Sequence, residues 1–106
     1  MALQVNNDNF EQVISEKKVT LLQFSAEWCG PCKMLTPIIL KISEENEGKD
    51  VTIGKVNVDT ESVIGAKFGI RNIPTIVYLK DGVEVERTTG LKSQVEIQSK
   101  IDSLLN

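Results

Sequence analysis

The sequence predicts an α/β fold, a single mixed central β-sheet flanked by helices on both faces. Two patterns carry that expectation. Strand-like and helix-like segments alternate in the order β-α-β-α-β-α-β-β-α, and helical crossovers make the early strands parallel. The last two strands are joined instead by Asp81-Gly82 between apolar runs, a hairpin signal that adds an antiparallel edge. With 106 residues the chain has the size of one domain, 1–106, and can bury a core without disulfides or metals.

The elements follow in order. Leu3-Gln4-Val5 reads as a short first strand. Asn9 is placed to cap a helix through about Lys17, with Gln12 positioned to complete a capping box. Val19 to Ser25 is nearly all apolar or β-branched and reads as a buried strand. A long helix is expected from near Cys29 to Glu47. Leu35, Ile38, Ile39 and Ile42 form its apolar face, Gly48 is its stop, and Pro37 is expected to kink it. Val51 to Val58 is the next strand, and a short helix spans about Glu61 to Phe68. Thr75 to Leu79 and Val83 to Thr88 form the hairpin. Ser93-Gln94-Val95-Glu96 is a capping box that opens the last helix, which places Ile97, Ile101, Leu104 and Leu105 on one side.

Composition narrows the function. The chain is 41% hydrophobic and 25% charged, ordinary for a globular protein. Its net charge is −3 with no basic cluster, so there is no electrostatic footprint for nucleic acid. No stretch approaches the roughly 20 apolar residues of a membrane span. Met1-Ala2-Leu3-Gln4 lacks the basic and apolar segments of a signal peptide, so a cytoplasmic protein is expected. The absence of histidine removes Cys-His nucleophile pairs and most zinc-site designs.

The chemistry concentrates in Trp28-Cys29-Gly30-Pro31-Cys32-Lys33, which holds the chain's only two cysteines. Cys29 is expected in the first turn of a helix, where unpaired backbone N–H groups and the helix dipole favour a thiolate, the nucleophilic form. Pro31 suits the first helical turn, which has no use for its missing N–H. Cys32, one turn further in, is expected to be more buried and to keep its proton longer. Cys29 would then attack a disulfide, and Cys32 would resolve the mixed disulfide. Three plainer readings compete. A structural staple across so short a loop removes little entropy from the unfolded chain. Zinc needs four ligands, so a metal or iron–sulfur site would require a dimer sharing two such motifs. The third is a pair of inert buried cysteines.

The cysteine motif, Pro37, Phe68-Gly69-Ile70-Arg71-Asn72-Ile73-Pro74-Thr75, the Asp81-Gly82 hairpin and Gly90 together resemble the thioredoxin family across essentially the whole chain. A CxxC beside a βαβ pattern is the known mark of that redox motif. The resemblance implies a thioredoxin fold and a general protein-disulfide reductase, with Cys29 as nucleophile and Cys32 as resolving thiol. It implies protein disulfides as substrates and recycling by a flavoprotein thioredoxin reductase or similar donor. A monomer is expected, with no cofactor and no metal. Most X-Pro bonds are trans, but the resemblance implies a cis Ile73-Pro74 bond packed against the dithiol, its backbone able to pair with an extended substrate. It implies active-site support from Trp28, Gly30, Pro31, Lys33, Gln23, Lys55 and Pro74. It also implies an apolar landing patch of Trp28, Ile70, Ile73, Pro74, Gly90 and Leu91, alongside Gly30 and Pro31. For Trp28 and Ile70 the competing reading is ordinary core; Trp28 adjoins the reactive cysteine and caps no apolar period, so partial exposure is expected.

One position departs from the family. Gln23 stands where relatives usually carry a buried aspartate thought to take the proton from the second cysteine, and glutamine cannot accept a proton near neutral pH. Lys55 matches the lysine usually found near that acid. Lys55, Glu27 or an ordered water is therefore expected to replace the missing base, the plainer alternative being that no base is needed at useful rates. Two alternatives to a general reductase follow: a partner-specific thiol–disulfide oxidoreductase with an altered resolving step, and a non-catalytic binding module that uses the same patch.

Overall fold

The computed structural model describes residues 2–106. Its elements are β1 (Leu3–Gln4), α1 (Phe10–Glu16), β2 (Val19–Ser25), α2 (Gly30–Glu45), β3 (Val51–Asn57), α3 (Ser62–Lys67), β4 (Thr75–Lys80), β5 (Val83–Thr89) and α4 (Gln94–Leu105). The order is the expected one. The five strands form one sheet in the order β1-β3-β2-β4-β5. β1, β3 and β2 run parallel, while β4 is antiparallel to both β2 and β5. The sheet is thus mixed, with β2 at its centre.

Alternation along the strands sends side chains to two separate cores. Val19, Leu21, Ile53, Ile76 and Tyr78 pack against Leu35, Ile39 and Ile42 of α2 and Ile97 and Ile101 of α4. Leu22, Phe24, Val56 and Val77 face the other way, against Phe10 and Val13 of α1 and Ile64 of α3. Every residue of β2 is buried, as expected of a strand covered on both faces. Gly54 of β3 pairs in register with Leu3 of β1, and a Cβ there would come within 2.7 Å of the Val5 side chain and 3.2 Å of Leu22. Between the end of α2 and α4, buried Asn46 and half-buried Gln98 exchange hydrogen bonds through their amides, at 2.7 and 2.9 Å.

The local signals of the C-terminal half hold. Asp81 and Gly82 both take positive φ, 52° and 80°, as a tight hairpin turn with strand-matching twist requires. Ser93 and Glu96 form a reciprocal capping box at α4. The N-terminal cap differs from expectation. Asn9 precedes α1 but makes no side-chain cap bond, and no Gln12 capping box forms. Asn6 instead organises the turn that leads into the helix, its Oδ1 accepting from the N–H groups of Asp8 and Asn9 at 2.9 and 2.8 Å. The Asn9 side chain turns back to donate to the Gln4 carbonyl, tying α1 to β1. α2 continues unbroken past Pro37 and ends at the C-cap Asn46; Gly48, with φ 83°, turns the chain just beyond. None of the described helices is long and apolar enough to cross a membrane.

Tyr78, the only tyrosine, is held protonated by its surroundings. Burial pushes its phenol up to about 12, and the carboxylates of Glu86 and Glu96 add to the effect. Its folded value lies above the unfolded one of about 10. The stability it contributes is therefore complete below pH 10 and lost as the pH rises from 10 through 12. Phenolate absorbance at 295 nm should appear with a midpoint near 12 or together with alkaline unfolding, and Tyr78→Phe should flatten the pH dependence of stability in that window.

Candidate active site

Three strand ends meet at one edge of the sheet. β2 delivers the chain through Ala26 to Cys29. At the end of β3, Val58 is fastened beside it by donating to the Ser25 carbonyl at 2.9 Å. β4 begins at Thr75, paired in register with Phe24, so the Ile73-Pro74 segment lies beside the exit of β2. The Ile73-Pro74 bond is cis, in agreement with the expectation. Ligand sites of open α/β sheets characteristically lie beyond the carboxyl ends of parallel strands, as this one does for β2 and β3.

Cys29 and Cys32 are joined as a disulfide with their Cα atoms 5.3 Å apart. Both are buried, Cys29 at 5% exposed and Cys32 at 2%. They form a small cluster with Ala26, against which Val58 and Ile73 pack. Cys29 is not in the first turn of α2 but is its N-cap, with extended backbone, and Pro31 occupies the first turn. Its sulfur accepts the Cys32 N–H at 3.2 Å. The N-cap position brings the sulfur to the unpaired amides of a 16-residue helix, where a negative charge is stabilised once the disulfide opens. The Cys32 carbonyl accepts from Thr36 Oγ1 at 2.9 Å. Pro37 offers no N–H to the Lys33 carbonyl, so this first stretch of α2 is held partly by side chains.

The surroundings differ on the two sides of the disulfide. One side is an apolar groove of about 420 Å³ lined by Trp28, Val58, Ala66, Ile70 and Ile73, with Arg71 at its margin. Trp28 is 70% exposed, so it is wall rather than core. Its indole Nε1 donates to Asp59 Oδ2 at 2.8 Å, and Asp59 is set in turn by Asn57, whose Oδ1 accepts from the Asp59 and Thr60 N–H groups. The other side is polar. Cys32 lines a cleft of about 570 Å³ with Glu27, Lys33, Thr36 and Lys55.

Of the residues implied by the resemblance, Trp28, Ile70 and Ile73 come together in the groove. Pro74 is buried, and its carbonyl accepts the Gly90 N–H at 2.9 Å. With that carbonyl engaged and no N–H on proline, Pro74 has no unpaired backbone group to offer. Gly30, Pro31 and Leu91 are exposed and Gly90 half-buried, and none of them lines the groove. Lys33 is exposed on the polar side. Gln23 and Lys55 are register partners on β2 and β3, behind Cys32 on the α2 face. Asp59, Val58 and Ala66 were not among the implied residues. Asn57 and Asp59 carry a turn signal, but nothing local links Asp59 to a tryptophan 31 residues away. Among the described residues no group of three or more His, Cys, Asp or Glu is arranged to hold a metal.

Comparison with known proteins gives consistent results. The thioredoxin family model matches residues 1–103. A thioredoxin of Chlamydia caviae is 45% identical over 94 residues, 89% of each chain. One of Rickettsia felis is 44% identical over 95 residues, 89% of this chain and 90% of the other. Among solved structures, Malassezia sympodialis thioredoxin superposes with a TM-score of 0.89 at 36% identity, covering 100% of this chain and 92% of that one. A mutant thioredoxin from Halobacterium salinarum also gives 0.89, at 32% identity, covering 99% and 91%.

Removing the acceptor that fixes Trp28 tests whether the wall is pre-set. Asp59→Ala should cost less than about 1 kcal/mol of stability, since the bond is exposed. It should increase acrylamide quenching of the single tryptophan and lower kcat/KM for a protein disulfide by roughly 2- to 5-fold, the cost of ordering one freed side chain on binding.

Proposed function

As a member of the thioredoxin family this chain is a thiol–disulfide oxidoreductase, and we propose that it serves as a general protein-disulfide reductase. The observation that carries this reading is the position of Cys29: its sulfur caps α2, receives the Cys32 N–H, and lies among residues that continue into an apolar groove.

In this mechanism the reduced Cys29 thiolate attacks one sulfur of a substrate disulfide. The substrate S–S bond breaks, a Cys29–substrate mixed disulfide forms, and the first substrate thiolate leaves. The Cys32 thiolate then attacks Cys29 Sγ, closing the Cys29–Cys32 bond and releasing the second substrate thiol. Two electrons pass from the dithiol to the substrate. Trp28, Ile70 and Ile73 hold the apolar part of an unfolded or extended segment, and the free backbone of Ile73 pairs with it as an added strand. Gly30 and Pro31 shape the short ring, and the cis Pro74, anchored through Gly90, holds Ile73 against the cysteines. Leu91 extends the contact surface. A flavoprotein thioredoxin reductase or similar dithiol donor returns the protein to its reduced form. The protein is expected to act as a monomer in the cytoplasm, where thiols are kept reduced.

Gln23 supports a second, narrower reading. Nothing at this position can take a proton near neutral pH, which favours an enzyme with an altered resolving step, paired with one partner or one reductase.

Insulin reduction with dithiothreitol as donor separates these. Wild type should precipitate the insulin B chain well above the dithiothreitol background, and Cys29→Ser should fall to that background. Equal background rates for both would overturn the general-reductase reading. The order of the two thiols has its own test: Cys32→Ser should accumulate a stable mixed disulfide through Cys29, seen as the summed mass, whereas Cys29→Ser should trap far less.

A further inference from the structure

Among the described residues the buried side-chain atoms without a protein hydrogen bond are Gln23 Nε2, Gln23 Oε1 and Thr88 Oγ1. Gln23 is the larger anomaly, since the residue is 0% exposed and both ends of its amide are unmet. Buried amides are ordinarily paired, because an unpaired one loses its hydration without return. This fold pairs Asn46 with Gln98 in full. On the sheet Gln23 lies between Ile76 of β4, which offers nothing polar, and Lys55 of β3. Lys55 is half-buried and has no ion-pair partner among the described residues.

Gln23 and Lys55 line a cleft of about 450 Å³ between β1 and α2. That cleft shares Gln4, Thr36 and Lys55 with the polar cleft that contains Cys32. A single groove therefore leads from the unmet amide, past a lysine, to the inner sulfur of the disulfide. Its walls at the Gln23 end are mostly apolar, but Gln4, Gln23, Thr36 and Lys55 set polar groups along it and it is far larger than one water molecule, so water has both room and partners there.

We propose that Gln23 and Lys55 hold a file of water in this groove and that the file carries the Cys32 proton to solvent during the resolving step. The proposal deepens the reductase reading and rests on it. As Cys32 Sγ forms its bond to Cys29 Sγ, the Cys32 proton passes to the nearest water and leaves along the file. The bond from Cys29 to the substrate breaks, and the departing thiolate takes its proton from bulk solvent. No further oxidant or reductant is needed. Gln23 is a positioning residue here: its Oε1 accepts and its Nε2 donates, so it holds water in either orientation without ionising. The Lys55 charge favours the thiolate that develops on Cys32. The other charged groups on the groove are Glu27, before α2, and Lys33, on α2, both exposed. β1 and β4 contribute no titratable side chain to it.

The test joins a hydration measurement to single-turnover kinetics. In the full chain, the Gln23 side-chain amide protons should show direct magnetisation transfer to long-lived water in NMR, in both redox states. Gln23→Leu should keep the fold, with a melting temperature close to wild type, and yet slow mixed-disulfide resolution about tenfold at pH 7. The first attack by Cys29 should stay within about twofold. Lys55→Met should slow the same step. A dry amide, or a folded Gln23→Leu protein that resolves at the wild-type rate, would overturn the proposal. If Gln23→Leu fails to fold, Gln23→Met and the wild-type hydration signal decide in its place. Failure of the reductase reading is told apart by mass spectrometry: wild type and Cys32→Ser would then form no Cys29 adduct at all, and the proton path would fall with it.

Discussion

The hydrogen-bonded ladder of β2 is the constraint on which the site depends. It pairs with β3 along all seven residues and with β4 along six, so three chain segments far apart in sequence end at one place. The pairing of Phe24 with Thr75 sets Ile73-Pro74 beside the exit of β2, and the Ser25–Val58 bond sets the start of the β3–α3 loop there. Burial on both faces fixes the register. A slip of one residue would exchange the faces, driving Gln23 into the apolar core under α1 and α3 and Leu22 towards the groove behind Cys32.

That burial has a chemical consequence. A central strand in a two-sided core favours apolar residues throughout, yet β2 carries Thr20, Gln23 and Ser25, all buried. Gln23 stands out because its amide gains no protein partner in return. A leucine there would fill similar space and extend the core made by Leu21, Ile76 and Ile39. A polar residue kept at the most enclosed part of the sheet, directly behind the cysteine pair, is better explained by what it does to the groove than by what it does for the fold.

What could be read from the sequence follows from the range of the forces involved. The hairpin at Asp81-Gly82 and the box at Ser93 and Glu96 rest on residues within a few positions of each other, and they are legible for that reason. The same logic places the first helix and its N-cap at Asn9 but not its side-chain bonds, because the path of the chain out of β1 turns the Asn9 amide back to Gln4 and leaves the preceding turn to Asn6. Cys29 reads as part of the helix, but its extended backbone makes it the residue before it, a difference of one position that places the sulfur over the helix end. The cis bond and the landing patch came from family resemblance, and the patch is only partly gathered: topology brings in Asp59, Val58 and Ala66 from the β3–α3 region and leaves Leu91 outside the groove. The unmet amide of Gln23 is invisible in sequence, since glutamines nearly always find partners or solvent.

The two sulfurs face unlike surroundings, and this asymmetry matches the two halves of an exchange reaction. Cys29 is bordered by Trp28 and Ile73, which continue into an apolar groove suited to a polypeptide. Cys32 opens onto a groove whose polar lining suits water and charge. A thiol that meets substrate needs its anion stabilised in advance, and capping α2 supplies that through fixed backbone dipoles that do not move during the reaction. A thiol that acts second needs the reverse: it must keep its proton until the mixed disulfide exists and then lose it quickly. Burial supplies the first requirement, and a hydrated groove with a cation beside it supplies the second without a carboxylate. One helix start, placed by one strand, thus separates the approach of the substrate from the departure of the proton.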